Sequence, residues 1–469
     1  MLNANEIKTY VDRSWEASIL PTLAEYIRIP NKSPQFDPQW QANGHMDKAV
    51  QLLADWCLAN APKGMKLEIV RHGDRTPLLF IEVPGASNDT VLLYGHLDKQ
   101  PEMKGWGPGL DPWTPVFRDG KLYGRGGADD GYAVFAALTA IKSLQEQNIN
   151  HGRCVILIEA CEESGSGDLP YYVEALAARI GEPDLIVCLD SGCANYEQLW
   201  LTTSLRGLAG GLLSIDVLTQ GVHSGTGSGI VPSCVMVLRQ LLGRIEDEHT
   251  GEIVLEELQV DIPAERVKQA ELTAEILKYE LFESLPFVAG ARPVSPDPVK
   301  LILNRNWRPA LSLTGSEGLP APENAGNVTL PSMKLKLSMR LAPTSDAKKA
   351  AETIKNTLEK EPPFGAKVHF KITESESGWN APAEHPWLSA AVEKASSNYF
   401  GKTAMYMGEG GSIPFMGMLG KKFPRAQFMI TGVLGPGSNA HGPDEFLHIN
   451  AAKNLTCCVA EVIASHFLQ

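Results

Sequence analysis

The chain has 469 residues, 43% hydrophobic and 21% charged; this is too long for one ordinary core and normal in composition for a soluble globular protein, so two domains or one much elaborated domain are expected. A formal net charge of −13 lacks the basic footprint that nucleic acid requires and gives no support for docking on an anionic membrane. The eight cysteines form no Cys-x-x-Cys pair, no leader-like apolar segment is visible, and no apolar run reaches the ~18 residues of a spanning helix; buried thiols and a cytoplasmic location are expected.

Residues from about 5 to 60 carry apolar side chains at helical spacing, as in WEASILPTLAEYIRI and MDKAVQLLADWCL. Early strands are expected around residues 69–70 and in LLFIEV. TVLLYGH, residues 90–96, is a near-continuous apolar run suited to a buried strand. A stretch dense in Gly, Pro and Trp follows to residue 127, then an Ala/Leu-rich helix over residues 133–145. RCVILIEA and PDLIVCLD read as two further buried strands, with a helix in LPYYVEALAARI between them. This alternation predicts an α/β domain with a mostly parallel sheet flanked by helices. Near Arg206 the pattern changes: LAGGLLSIDVLT, MKLKLSMRLAP and KVHFKI alternate apolar and polar residues as half-exposed antiparallel strands do, and residues 235–283 read as helical and charged. A helix in LSAAVEKASSNYF and an apolar strand in AQFMITGVL then return to the first style. The expected organisation is a catalytic domain over 1–205 and 382–469, interrupted by an α+β domain over 206–381.

Acidic and imidazole groups collect at the ends of the predicted strands. His96 and Asp98 end TVLLYGHLD, Asp129 and Asp130 lie in GRGGADDG before a helix, Glu162 and Glu163 end CVILIEACEE, and Asp190 ends DLIVCLD. His441 sits in the loop GPGSNAHGPDEF after the last strand. In open α/β sheets ligands bind beyond the carboxyl ends of the strands, so these groups are expected to converge there. So many carboxylates in one crevice require a cation. Mixed imidazole and carboxylate suit Zn²⁺, Mn²⁺ or Co²⁺, and a shared carboxylate can bridge two ions roughly 3.5–4 Å apart.

The ordered set GHLD, GRGGADDG, EACEESGS, LDSG, GVHSG and a late loop His resembles the dinuclear metallopeptidases that include carnosinases, cytosolic nonspecific dipeptidases, glutamate carboxypeptidases, aminoacylases and acetylornithine deacetylase, with the dipeptidase branch nearest. The resemblance covers nearly the whole chain and implies a zinc-exopeptidase-like catalytic domain whose inserted domain forms a lid and a homodimer contact. It implies Asp129 bridging two ions, with His96 and Asp190 completing one site and Glu163 and His441 the other. It makes Glu162 the general base acting on a metal-bridging hydroxide, with Asp98 orienting His96 and a cis peptide between Asp129 and Asp130. On the inserted domain it implies that His223 polarises the scissile carbonyl, assisted by Asn327, and that Arg340 clamps a substrate carboxylate. Residues 408–414, GEGGSIP, with Gly410, Gly411 and Ser412, resemble a loop that cradles the substrate terminus. Two departures fall where pocket walls are expected: Gly131 and Tyr132 stand where a Lys is frequent, and Lys99 where an apolar residue is common.

These readings give a dipeptidase, or an exopeptidase of small peptides with a free C-terminal carboxylate, that uses two divalent ions, zinc foremost, with manganese or cobalt as substitutes. An N-acyl-amino-acid deacylase or amidase of the same fold is the alternative, and a non-catalytic scaffold would require loss of the base, which is present as Glu162.

Overall fold

The computed structural model describes residues 2–283, 285–411 and 413–469. The chain divides into two compact units, Met1–Thr203 with Ala381–Met407 and Met418–Gln469, and Ser204–Asn380 with Gly408–Gly417.

The first unit is built on a six-stranded sheet of β1 (Lys66–Val70), β2 (Leu78–Val83), β3 (Ser87–His96), β4 (Gly152–Glu159), β5 (Pro183–Cys188) and β6 (Gln427–Ile430), in the order β1-β2-β4-β3-β5-β6. From β4 to β6 all neighbours are parallel, whereas β1 and β2 run antiparallel to theirs. The parallel centre follows from sequence: Val91 to Tyr94, Cys154 to Ile158 and Leu185 to Cys188 are apolar on both faces and all buried, as strands covered by helices on both sides must be. The helix Ala133–Glu146 packs on the C-terminal helix Ile449–His466, which also meets Ala4–Ser14 and Pro386–Tyr399. Parallel register sets His96 opposite Glu159 and Tyr94 opposite Cys188. The chain therefore leaves three neighbouring strands at one edge, where residues 96–98, 160–163 and 189–190 emerge together. A small antiparallel sheet of Val116–Arg118, Lys121–Tyr123 and Phe446–His448 ties the loop that bears His441 to the segment before Asp129.

The second unit holds a four-stranded antiparallel sheet in the order Ala310–Glu317, Ser332–Leu341, Gly207–Asp216, Lys367–Glu376. Met333, Leu335, Leu337, Met339 and Leu341 alternate inward and join Val237, Leu241, Ile354 and Leu358 of the covering helices Cys234–Leu242 and Ala347–Glu359. Val222–His223 pairs with Val328–Thr329 as a separate two-stranded ribbon. All eight cysteines are buried and free. No helix among the described residues is long and apolar enough to cross a membrane.

Candidate active site

The strand ends of the first unit bring five ligand-type side chains into two groups that share one member. His96 Nε2 lies 3.1 Å from Asp129 Oδ1 and 3.8 Å from Asp190 Oδ1. His441 Nε2 lies 3.1 Å from Asp129 Oδ2 and 3.3 Å from Glu163 Oε2. Asp129 thus presents one oxygen to each group, and the donor atoms of each triad fall within 4.8 Å of one another. Donors ~2.0–2.2 Å from a tetrahedral ion stand about 3.4 Å apart, so both triads have the spacing and the donor chemistry of a divalent-cation site. The Asp129–Asp130 peptide is cis.

Placement of these groups follows from short local reasons. His96 is the last residue of β3; its backbone N–H donates to Asp130 Oδ2 at 3.2 Å and its Nδ1 faces the Asp98 carbonyl at 3.1 Å. The Asp98 carboxylate is 3.5 Å from the same Nδ1 and accepts the backbone N–H groups of Glu162 at 3.1 Å and Glu163 at 3.0 Å. Asp98 therefore orients the His96 ring, chiefly through its carbonyl, while its carboxylate fixes the turn that carries both glutamates. Second partners of this kind set ligand orientation as strongly as the ligands themselves. The Glu162 carboxylate has no hydrogen-bond or ion-pair partner among the described residues.

Electrostatics show how crowded these charges are. Burial works against an imidazolium, yet Asp190, Asp129 and Asp98 pull His96 well above its ordinary value. Burial would raise Asp129, but hydrogen bonds from His441 and His96 hold its carboxyl below the usual range. Burial, reinforced by neighbouring carboxylates, pushes Asp190 up to about 6 and Glu162 and Glu163 well above their ordinary values. Crowded buried acids of this kind are stabilised as carboxylates by a bound cation.

In the second unit, His223 is exposed, and its Nδ1 accepts the N–H of Gly225 at 3.1 Å. Asn327 is exposed beside it, its carbonyl accepting the N–H of Ser224 at 2.8 Å. Arg340, next to last in the strand Ser332–Leu341, is half-buried, with no side-chain hydrogen bond or ion pair among the described residues. Gly410 and Gly411 are held by Arg206, whose Nε donates to the Gly410 carbonyl at 3.1 Å and whose backbone N–H donates to the Gly411 carbonyl at 3.0 Å. Burial, with Arg340 and Arg305 nearby, lowers the Arg206 guanidinium to about 10. Ser412 lies outside the described residues.

Two expectations about pocket walls are corrected. Lys99 is fully buried, with its ammonium on the carbonyls of Tyr26 at 2.7 Å and Ile29 at 2.8 Å and 3.9 Å from the Tyr26 ring centre; it serves the end of the helix Leu20–Ile27, where a cation is favoured. Tyr132 is likewise buried and donates to the Leu189 carbonyl at 2.5 Å, and a side chain at Gly131 would collide with the Tyr26 ring. Sequence reasoning also passed over Gln100, whose Nε2 donates to Glu163 Oε2 at 2.5 Å, and over Arg125, Glu445 and Arg206. Arg125 and Glu445 sat inside the quoted motifs GRGGADDG and GPDEF, but nothing in their spacing pairs residues 320 positions apart.

A family model described as peptidase family M20/M25/M40 matches residues 92–465. The chain is 27% identical over 447 residues to a cysteinylglycine-S-conjugate dipeptidase of Corynebacterium striatum, covering 93% of each. It is 28% identical over 428 residues to the human Beta-Ala-His dipeptidase, covering 87% of this chain and 82% of the relative. Among solved structures, human carnosine dipeptidase 1 matches with a TM-score of 0.78 at 22% identity over the whole of both chains, a likeness of fold.

Proposed function

Because the chain belongs to peptidase family M20/M25/M40 and is a metal-dependent hydrolase acting on dipeptides, we propose that it cleaves the amide bond of dipeptides with a free C-terminal carboxylate at the Asp129-centred pair of triads. The observation that carries this reading is the division of the two Asp129 oxygens between His96 with Asp190 and His441 with Glu163. His96, Asp129 and Asp190 would hold one divalent ion, and Asp129, Glu163 and His441 the other, with zinc the metal proposed and manganese or cobalt also suited to this donor set. When bound, the two ions supply Lewis acidity at the scissile carbonyl and acidify the attacking water to near neutrality.

The chain's own residues supply the rest. Glu162, a carboxylate without hydrogen-bond or ion-pair partner among the described residues, takes a proton from the attacking water and returns it to the leaving amine nitrogen. Asp98 keeps the His96 ring and the Glu162–Glu163 turn in register. In the second unit, the Gly225 N–H on Nδ1 leaves a neutral His223 with its proton on Nε2, the tautomer that donates to a carbonyl oxygen as it gains charge. Asn327 adds a second donor beside it. Arg340 offers an unpaired fork of donors to the substrate carboxylate, and the N–H groups of Gly410 and Gly411, with Ser412, complete the grip on that terminus. The reading extends to a homodimer formed through the second unit and to work in the reducing cytoplasm, where free buried thiols persist.

The experiment is metal counting beside kinetics for Glu162→Gln. Two ions per chain should remain while kcat falls about 10²–10⁴-fold. Turnover near that of the parent enzyme removes Glu162 from its role, and fewer than two ions in the parent removes the paired triads.

A further inference from the structure

Outside the two triads, three segments far apart in the chain converge on one buried ion pair. The side chains of Arg125 and Glu445 are 1% and 0% exposed, and Arg125 Nη1 donates to Glu445 Oε2 at 2.6 Å. The remaining donors of the guanidinium reach the carbonyls of Gly442, through Nη2 at 2.6 Å, and Pro101, through Nε at 3.2 Å. The second carboxylate oxygen, Oε1, accepts the backbone N–H groups of Gly126 at 3.0 Å and of Ala128 and Asp129 at 3.4 Å. The Glu445 carbonyl accepts the N–H of Gly124 at 3.0 Å. One side of the pair thus cradles the turn that ends in Asp129, and the other grips the carbonyl of Gly442, the residue after His441.

That grip matters because it reaches the His441 loop from outside, adding to the loop's own bonds, in which the Asn439 carbonyl accepts the N–H of Gly442 at 2.9 Å and Asn439 Nδ2 donates to the Pro443 carbonyl at 2.5 Å. Asn439, His441 and Asp444 all adopt left-handed backbone, with φ of 52°, 65° and 61°, a conformation that non-glycine residues keep only where their surroundings over-determine it. The His441 side chain is 56% exposed and meets Asp129 and Glu163 only through Nε2, so packing around the ring supplies little of the restraint. Restraint comes through the backbone: Arg125 on the Gly442 carbonyl, the N–H of Gly107 on Asp444 Oδ1 at 2.7 Å, and Asn439 Nδ2 on the Pro443 carbonyl at 2.5 Å. His96, by contrast, is fixed by β3 itself.

We infer that Arg125 and Glu445 are positioning residues that lock His441 against Asp129, so that this buried pair sets the affinity of the Asp129–Glu163–His441 triad for its ion while the His96–Asp129–Asp190 triad depends on it much less. The inference rests on the reading of both triads as ion sites. It concerns which residues outside them decide whether the second site exists.

The test is titration of the metal-free full-length enzyme with Zn²⁺ by calorimetry, giving the number of ions and each affinity. Removing one charge of a buried pair strands the other, whereas replacing both by apolar groups of similar volume is often tolerated. The first variant is therefore Arg125→Met with Glu445→Leu, checked for native circular dichroism. The second, Glu445→Asp, keeps both charges and shortens the arm by one methylene, so it serves if the double variant does not fold. His441→Ala is the control for the triad. The expected result is one ion bound within a few-fold of the parent affinity and the other weakened about 10–100-fold, the scale of losses when a ligand's supporting partner is removed. Two ions bound as in the parent, or both sites weakened equally, overturn the inference. Two ions retained by His441→Ala would instead sink the reading of the triads and leave the inference without a site.

Discussion

The two units carry their polar chemistry in opposite ways. In the first, His96, Asp98 and Asp129 are buried and each is bonded to at least two other groups at the strand ends. In the second, His223 and Asn327 are exposed and Arg340 has no ion-pair partner among the described residues. Buried charges must be satisfied by the fold or by a bound ion, whereas a group meant for a passing substrate keeps its donors free. The comparison predicts that substitutions in the second unit move kinetics without moving metal content, and that buried charges of the first unit not facing the triads move stability without moving kinetics.

His223 offers the largest break in that comparison. His223→Ala should lower kcat about 10²–10³-fold, the usual cost of one donor to a developing oxyanion, with metal content and Tm unchanged because the ring makes one hydrogen bond among the described residues. Loss of bound metal in this variant, measured on the purified protein, would show that the second unit also shapes the ion sites. Arg340→Ala should act on KM instead, raising it about 10–100-fold, the value of a charge-assisted hydrogen bond. The effect should be confined to substrates with a free carboxylate: the parent enzyme should discriminate strongly against C-terminally amidated dipeptides, and the variant should not. Equal losses on both substrates would make Arg340 a part of the sheet and not a clamp.

Much of this division was legible in sequence, and the exceptions have physical causes. Residues 90–96, 153–160 and 183–190 are continuous apolar runs ending in His or acid, and buried parallel strands leave little else such runs could be; they became β3, β4 and β5 with the site at their ends. The helix expected over 133–145 is Ala133–Glu146, because its Ala/Leu period has no competing breaker. The helix expected in LPYYVEALAARI instead divides into Leu169–Ala175 and Ala177–Ile180. The strand Ala310–Glu317 escaped because it is a mostly exposed edge, where neither burial nor alternation writes a pattern. The helix Ile449–His466 is buried on nearly all sides, so its sequence lacks the one-sided stripe that marks a helix. Gln100, Arg125 and Glu445 escaped for a different reason: a polar residue declares its partner only in space.

Lys99 sharpens the comparison by the smallest effect, and its sign can be worked out in advance. Its ammonium is buried on the carbonyls of Tyr26 and Ile29 and does not face either triad, so Lys99→Met should leave kcat within about twofold. Loss of the two hydrogen bonds should cost about 1–3 kcal/mol, since the Tyr26 and Ile29 carbonyls keep the backbone N–H groups of Ile29 and Asn31, while removal of a buried charge offsets part of that cost. Burial holds the Lys99 amine well below its ordinary value, so between its folded value and ~10.4 the unfolded chain binds more protons than the folded one. Stability contributed by Lys99 must then be least at neutral pH and grow as pH rises through that window, by at most about 1.4 kcal/mol per pH unit. Denaturant unfolding of parent and Lys99→Met at several pH values between 7 and 10 measures it, with shared titrations cancelling in the difference. A difference that widens in favour of the parent marks an amine that sheds its proton on folding. A flat one marks an ammonium kept charged by the two carbonyls, the Tyr26 ring and the more distant Glu445 carboxylate, in which case the interior of the first unit tolerates a cation with no ion-pair partner among the described residues only three residues from His96.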